Sequence, residues 1–319
     1  MGVVTATQLA VAHCMAMAAN PKALSGAAFA TLLLIALMMG ANHVSARFAF
    51  NNGVDVLTAV SARSGVTAIV LALILWHARV PWALSERHRI FLPAIGLVIT
   101  AQSICIYSSV ARLPVALALL AFNTYPLSTA LWARALYGHL PERALLLAIP
   151  CLLLGLSLAL DVSGAISGLG AVAHWQEIGA GVAFAFAASA FFGLALVLTQ
   201  HEASALDGRV RTFTTMLTVG VLASLGAGLN GGMHWPTADA GWIGLGLLTF
   251  LYGTGFTIMF TVLPRLGVVG NSAIMNVEPV FALMMAWAFL DQKISWIQVL
   301  GALIVVATVM VLGFRKSRT

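Results

Sequence analysis

Two stretches of this sequence decide its fold: residues 112–126, RLPVALALLAFNTYP, and residues 265–279, RLGVVGNSAIMNVEP. Both begin with Arg-Leu and end with Asn-x-x-Pro, and a constant offset of 153 residues relates them. The same offset matches Gly40 with Gly193. Matched elements at one offset predict an internal duplication whose two halves fold alike.

Each stretch belongs to one of ten apolar segments in a chain that is 61% hydrophobic and only 8% charged. This composition excludes an ordinary soluble enzyme. An apolar segment of roughly 20 residues matches a bilayer core of about 30 Å, and in lipid its backbone must be satisfied as an α-helix. The segments are Ser25–Phe50, Val54–Trp76, Ile90–Val110, Leu113–Tyr137 and Ala144–Leu160, then Glu177–Leu198, Val210–Leu229, Gly241–Leu263, Leu266–Leu290 and Ser295–Phe314.

The positions of Lys and Arg orient the predicted bundle, because loops on the cytoplasmic side carry an excess of them. With the N-terminus in the cytoplasm, three fall outside (Arg47, Arg112 and Lys293) and twelve inside: Lys22, Arg79, Arg87, Arg89, Arg134, Arg143, Arg209, Arg211, Arg265, Arg315, Lys316 and Arg318. Five segments per half is an odd number, so the second half enters from the opposite side. The sequence predicts an all-α polytopic membrane protein with ten transmembrane helices in two inverted five-helix repeats.

The predicted organisation begins with a cytoplasmic tail, residues 1–24. A signal peptide requires a positively charged residue before its apolar run, and no Lys or Arg precedes the apolar run of this tail. The first five-helix repeat covers residues 25–160, and a linker rich in Gly and Ser covers 161–176. The second repeat covers 177–314, and a basic cytoplasmic tail covers 315–319. We expect both termini to face the cytoplasm.

The paired Asn-x-x-Pro elements place Asn123 with Pro126 and Asn276 with Pro279 inside the fourth and ninth segments. A helical Pro removes one N–H and leaves the carbonyl four residues earlier without its partner. Each Asn lies on the same face as its Pro. One interpretation is a substrate-facing kink in each half, and the other is a packing kink with Asn joining neighbouring helices.

Three charged or histidine residues lie well inside predicted segments, away from their ends, where burial makes them costly and suggests function. Glu278 is a candidate proton carrier or a ligand for a substrate ammonium group, or else it supports the kink at Pro279. Arg63 can form a structural ion pair with Asp55 or Glu278, or it can bind a substrate carboxylate. His43 fits a polar lining toward the outer mouth, one turn from Arg47, for which snorkelling to the interface is the alternative.

Tyrosines within the segments are further candidates for a cavity lining, because a hydroxyl in hydrocarbon needs a partner. A cavity with several aromatic side chains and few fixed charges suits a neutral or zwitterionic, partly apolar solute. The predicted cavity residues are Asn42, His43, Tyr107, Phe122, Asn123, Tyr125, Tyr252, Asn276 and Glu278.

Enzyme and pump motifs are missing from the sequence. No G-x-x-x-x-G-K-[ST] motif for ATP is present, and His201-Glu202 lacks the second His of a zinc-binding H-E-x-x-H because that position is Ala205. The cysteines are odd in number and resemble small hydrophobic residues more than a metal site. We therefore expect no enzyme activity, no cofactor, no bound metal and no nucleic-acid partner.

Together these residues make the sequence resemble the drug/metabolite transporter superfamily, in the group built from two five-helix EamA-type repeats. The resemblance covers about residues 25–313 and rests on Gly40, Asn42, Arg63, Ala111-Arg112-Leu113, Pro126, Leu263-Pro264-Arg265-Leu266, Glu278-Pro279 and Gly301. Met39 stands where the family often has Trp, and Gly138-His139-Leu140 replaces a common acidic residue. The sequence is most similar to bacterial amino-acid and metabolite exporters, including the aromatic amino-acid branch.

The resemblance implies a secondary transporter that exports small amphipathic metabolites, above all aromatic or apolar amino acids, across the bacterial inner membrane by alternating access. Its expected partners are a small-molecule substrate and the lipid bilayer, and the sequence leaves the oligomeric state open, with a monomer acceptable. A multidrug or purine-type exporter on the same scaffold is the alternative within this class. A membrane-embedded enzyme or receptor is the alternative outside it.

Overall fold

A computed structural model describes residues 26–80, 82, 84–140, 143–160, 171–262, 274, 277–292 and 295–316. These residues form eleven α-helices. The helices are α1 Gly26–Asn51, α2 Val56–His77, α3 Glu86–Val110, α4 Val115–Phe122, α5 Tyr125–Tyr137, α6 Arg143–Ala159, α7 Ala171–Glu202, α8 Gly208–Leu229, α9 Asp239–Thr261, α10 Glu278–Leu290 and α11 Trp296–Lys316.

The helices match the predicted segments closely, with α4 and α5 sharing the fourth. Of the ninth segment, Leu266–Leu290, the described residues are 274 and 277–290, and α10 covers Glu278–Leu290. In the described part of the chain, seven spans are long and apolar enough to cross a membrane, and three shorter apolar helices accompany them. The fold is therefore the predicted all-α polytopic membrane protein. The long α7 begins at Ala171, inside the segment expected to be a linker, whereas residues 161–170 lie outside the described part.

Both Asn-x-x-Pro elements coincide with a helix start. In the first repeat the helix stops at Phe122, turns through Asn123 and Thr124, and restarts as α5 with Pro126 in its first turn. In the second repeat α10 starts at Glu278 with Pro279 in its first turn. Pro is accepted there because an N–H in the first turn has no partner within the helix. The offset of 153 residues relates both the starts and the ends of α5 and α10.

The pattern of helix contacts has two-fold pseudo-symmetry. Helix α1 packs against α9 and α10, and its equivalent α7 packs against α3 and α5, which are the equivalents of α9 and α10. Likewise α3 packs against α8 as α9 packs against α2. The pairs α2–α8 and α6–α11 each join two equivalent helices. This arrangement is that of two inverted five-helix repeats, as the sequence predicts.

Two glycines make the symmetric contacts possible. A Cβ added to Gly40 of α1 would lie 3.1 Å from the backbone N of Ala282 in α10. A Cβ added to the equivalent Gly193 of α7 would lie 2.6 Å from the backbone N of Thr129 in α5. Ala282 and Thr129 are themselves related by the offset. The helix backbones approach closely because small residues leave room, as at many helix contacts in membranes.

The starts and ends of the helices lie at two opposite ends of the bundle, which differ in charge. One end, which we call the basic end, contains the start of α3, the ends of α5 and α7, and the start of α8, and Arg87, Arg134 and Arg209 lie there. The opposite end contains the end of α1, the end of α3 and the start of α4. There Arg47 Nη1 donates a 2.9 Å hydrogen bond to the carbonyl of Val110. Arg47 therefore joins α1 to the last residue of α3.

Candidate functional site

Arg63 lies at the centre of a buried polar cluster between the two repeats. Its guanidinium carbon lies 3.8 Å from the ring centre of Tyr252 and 4.6 Å from that of Tyr107. The side chain is therefore held between two aromatic faces, an arrangement that favours a cation. All three residues are buried. They come from α2, α3 and α9, so the cluster exists only when both repeats pack together.

Tyr107 connects this cluster to α1. Its hydroxyl donates a 3.1 Å hydrogen bond to Oδ1 of the buried Asn42. Its ring also lies 5.5 Å from the His43 ring, centre to centre. The structure thus places Arg63, predicted only as a charged residue, beside three of the predicted cavity residues, Asn42, His43 and Tyr107.

Glu278 completes the cluster from α10. Its Oε1 lies 3.4 Å from His43 Nε2, and the two side chains are 22% and 13% exposed. Glu278 also occupies the first turn of α10, where the helix dipole favours a negative charge. In many transporters the N-termini of half-helices lie near the substrate site, at the middle of the membrane.

Arg63 forms no ion pair with any residue that the structure describes, including the two proposed acids. Asp55 instead caps α2, accepting from the N–H groups of Leu57 and Thr58, and lies 3.9 Å from His234. Within the same described ranges, Arg63 Nε is buried and has no hydrogen-bond partner. Among the described residues, Arg63 is therefore a buried cation without a direct ion-pair partner.

A second group of candidate residues surrounds the break between α4 and α5. The rings of Phe122, Tyr125 and Phe192 contact one another at 5.1 to 5.7 Å between centres. Asn123 is buried at the same break. Asn276, its predicted counterpart, lies outside the described residues. Phe192 is not among the cavity residues that the sequence predicts, because an aromatic residue in an apolar segment gives no signal of its own.

Hydroxyl groups supply hydrogen bonds at the break between α4 and α5, on the side that faces α7. The hydroxyl of Thr124 donates a 2.8 Å hydrogen bond to the carbonyl of Ala121. The same hydroxyl oxygen lies 3.0 Å from the hydroxyl oxygen of Ser189. The hydroxyl of Ser128 lies 3.1 Å from the same Ser189 oxygen. These three residues were missed, because isolated Ser and Thr residues give no sequence signal until the break brings them together.

A polar cluster at the basic end was also missed. Glu202 accepts a hydrogen bond from Arg87 and another, at 2.5 Å, from the Tyr137 hydroxyl, which ties α3 and α5 to α7. His139 and His201 lie beside them, 3.2 Å apart between Nε2 atoms. Within the described ranges no group of three or more His, Cys, Asp or Glu residues is arranged to hold a metal ion.

A groove of about 540 Å³ lies between α2 and α8. Exposed residues such as Ile69 and Val221 border it, so it opens toward the outer surface of the bundle. Its lining includes none of the predicted cavity residues. The groove is therefore separate from the Arg63 cluster.

Fold and site together define a polytopic membrane protein with a polar cluster between two inverted helical repeats. The sequence profile of the EamA-like transporter family matches residues 25–160 and again residues 179–314. The chain belongs to this family, and it is therefore a membrane transporter of the drug/metabolite transporter type.

Comparisons with individual proteins add information on the fold alone. No curated protein matches the chain significantly. A protein of known crystal structure shares 15% sequence identity with it. That match covers 91% of this chain and 100% of the other, with a TM-score of 0.58. At this identity the likeness concerns the architecture and carries no information on substrate.

Proposed function

We propose that this transporter exports small zwitterionic metabolites, most of all aromatic or apolar amino acids, by alternating access without ATP. The observation that carries this proposal is the buried Arg63 guanidinium, which lies between two tyrosine rings and has no carboxylate partner among the described residues. Burying an unpaired charge is costly, so the site favours a ligand that brings the missing anion.

A carboxylate is the anion that this site fits best. A guanidinium donates two parallel hydrogen bonds to a carboxylate, which combine affinity with a fixed orientation. Glu278, also part of this cluster through His43, offers an acceptor for an ammonium group. A site with both charges favours an α-amino acid over a simple acid or amine. The rings of Tyr107, Tyr252 and the Phe122 group favour an apolar side chain.

We further propose that the protein lies in a bacterial inner membrane with both termini in the cytoplasm. The basic end of the bundle carries most of the Arg residues, and such loops face the cytoplasm. The Arg63 cluster would then form the binding site of both inward-open and outward-open states. A reporter on each terminus tests this topology, and finding the two ends on opposite faces would exclude it.

The substrate proposal is tested by counterflow in proteoliposomes with a panel of amino acids. Arg63→Gln removes the guanidinium, and losing a charge-assisted hydrogen bond should weaken apparent affinity about 10- to 100-fold. Arg63→Lys keeps the charge but not the planar pair of bonds, so it should restore only part of the affinity. Arg112→Gln is the matched control, because Arg112 also contacts an aromatic ring, that of Phe184, outside the cluster.

The panel must also include organic cations. If cations move and no amino acid does, the zwitterion proposal is wrong and the multidrug alternative is favoured.

Glu278→Gln separates two roles of the carboxyl. Loss of pH-dependent flux would indicate proton coupling, whereas unchanged pH dependence with weaker amino-acid binding would leave only the ammonium-binding role.

A further inference from the structure

Two histidines from different repeats lie close together at the basic end. His139 follows the end of α5 in the first repeat, and His201 lies in the last turn of α7 in the second. Their Nε2 atoms are 3.2 Å apart although 62 positions separate them in sequence. His139 is exposed and His201 is half-buried, so an ion from solution can reach both.

Neighbouring groups fix the orientation and tautomer of His201. Its Nδ1 lies 2.9 Å from the carbonyl oxygen of Val197. Because a carbonyl only accepts, this Nδ1 carries the proton and a neutral ring presents a lone pair at Nε2. The ring also stacks on Tyr137, with centres 3.8 Å apart and planes at 10°. A histidine whose other nitrogen donates to a backbone carbonyl is the usual arrangement for a metal ligand.

The separation of the two Nε2 atoms fits a shared metal ion. Imidazole nitrogens bind Zn²⁺ at about 2.0–2.1 Å, and a tetrahedral angle then places two of them about 3.3 Å apart. The observed separation is 3.2 Å. In the absence of metal the same distance suits a hydrogen bond from His139 Nε2–H to His201 Nε2. Metal binding requires only that the proton on His139 move to Nδ1.

We propose that His139 and His201 form a two-histidine site for a divalent transition-metal ion, Zn²⁺ or Cu²⁺, with water completing the coordination. Two imidazoles are fewer ligands than a structural zinc site uses, so the site is suited to reversible binding. Glu202 supplies a nearby negative charge but is already bonded to Arg87 and Tyr137. The bound ion would link the end of α5 to the end of α7 and so connect the two repeats at the basic end.

The test uses the full-length protein in detergent, purified without a histidine tag, and Zn²⁺ or Cu²⁺ alone as the probe. Titration calorimetry should detect a site that His139→Gln and His201→Gln each weaken at least about tenfold. Gln keeps a hydrogen-bonding group near the position of Nε2, so both variants should fold. His77→Gln is the matched control, since His77 is an exposed histidine at the end of α2 on the same side.

Electron paramagnetic resonance of bound Cu²⁺ provides a second measurement that does not depend on transport. The wild-type protein should show two imidazole nitrogens, and each single variant should show one. Equal binding by wild type and both variants would overturn the proposal, as would an equal loss in His77→Gln. Because binding is measured directly, its failure leaves the proposed substrate untouched, and an absence of amino-acid flux leaves the metal site untouched.

Discussion

Adding one methyl group at Gly193 is the most direct test of the symmetric helix packing. The new Cβ of a Gly193→Ala variant would lie 2.6 Å from Thr129 N and 2.8 Å from the carbonyl carbon of Ser128. Both atoms belong to the α5 backbone, which cannot rotate aside as a side chain can. Restoring an ordinary contact near 3.4 Å requires α5 and α7 to separate by about 0.8 Å.

The size of the effect follows from two opposing contributions. Overpacking a well-packed contact costs about 1–3 kcal/mol. Replacing Gly by Ala within a helix returns about 0.5–1 kcal/mol. Because the clash involves backbone, we expect the free energy of unfolding to fall by about 1–2 kcal/mol. Transport should fall as well, since the adjacent Phe192 contacts both Phe122 and Tyr125 at the helix break.

The assay compares the unfolding free energies of matched variants in detergent. Gly246→Ala is the control, because Gly246 is an exposed glycine within α9 whose added Cβ would have nothing within 4 Å. It should be neutral or slightly stabilising. Gly40→Ala should fall between the two, since its closest approaches are 3.1 Å. If Gly193→Ala is as stable as Gly246→Ala, the close approach of α5 and α7 is wrong.

Three further predictions concern polar groups. Asp55→Ala removes two hydrogen bonds at the start of α2 and should lower the free energy of unfolding by about 1 kcal/mol in a denaturation experiment. Asp55→Asn should keep most of the wild-type stability, because Asn also caps helices. Tyr107→Phe leaves the buried Asn42 oxygen without its donor, so denaturation should show a loss of about 1–3 kcal/mol, and no loss would contradict this bond. Hydrogen bonds from Arg209 hold the pKa of Asp207 below its ordinary value. Its contribution to stability is therefore present above the unfolded-state pKa and lost as the pH falls through the folded-state pKa, so Asp207→Asn should flatten the acid side of the stability profile.

Much of the architecture follows from local sequence features. Apolar segments of bilayer length predict helices because lipid offers no partner for backbone groups. The offset between residues 112–126 and 265–279 predicts the duplication, and α5 and α10 obey it at both ends. Pro126 and Pro279 predict the helix perturbation, although the sequence indicates a kink whereas the structure has a new helix starting there.

The contacts within the site depend on distant parts of the chain. Arg63, Tyr107 and Tyr252 lie on three different helices, and nothing in their local sequences indicates that two rings enclose one guanidinium. The predicted pairing of Arg63 with Asp55 is absent because Asp55 caps its own helix. The contact of Glu278 with His43 likewise depends on the crossing of α1 and α10 at Gly40.

The sequence by itself determined that this chain crosses a membrane ten times in two inverted repeats, because hydrophobic length, proline position and charge distribution act locally. Only the tertiary structure decided which polar groups share a site and which stand alone. It placed Arg63 between two tyrosines, and at the basic end it brought His139 next to His201. Such contacts depend on how closely the two repeats approach each other. That distance is set by small residues on facing helices, not by the polar side chains that the approach brings together.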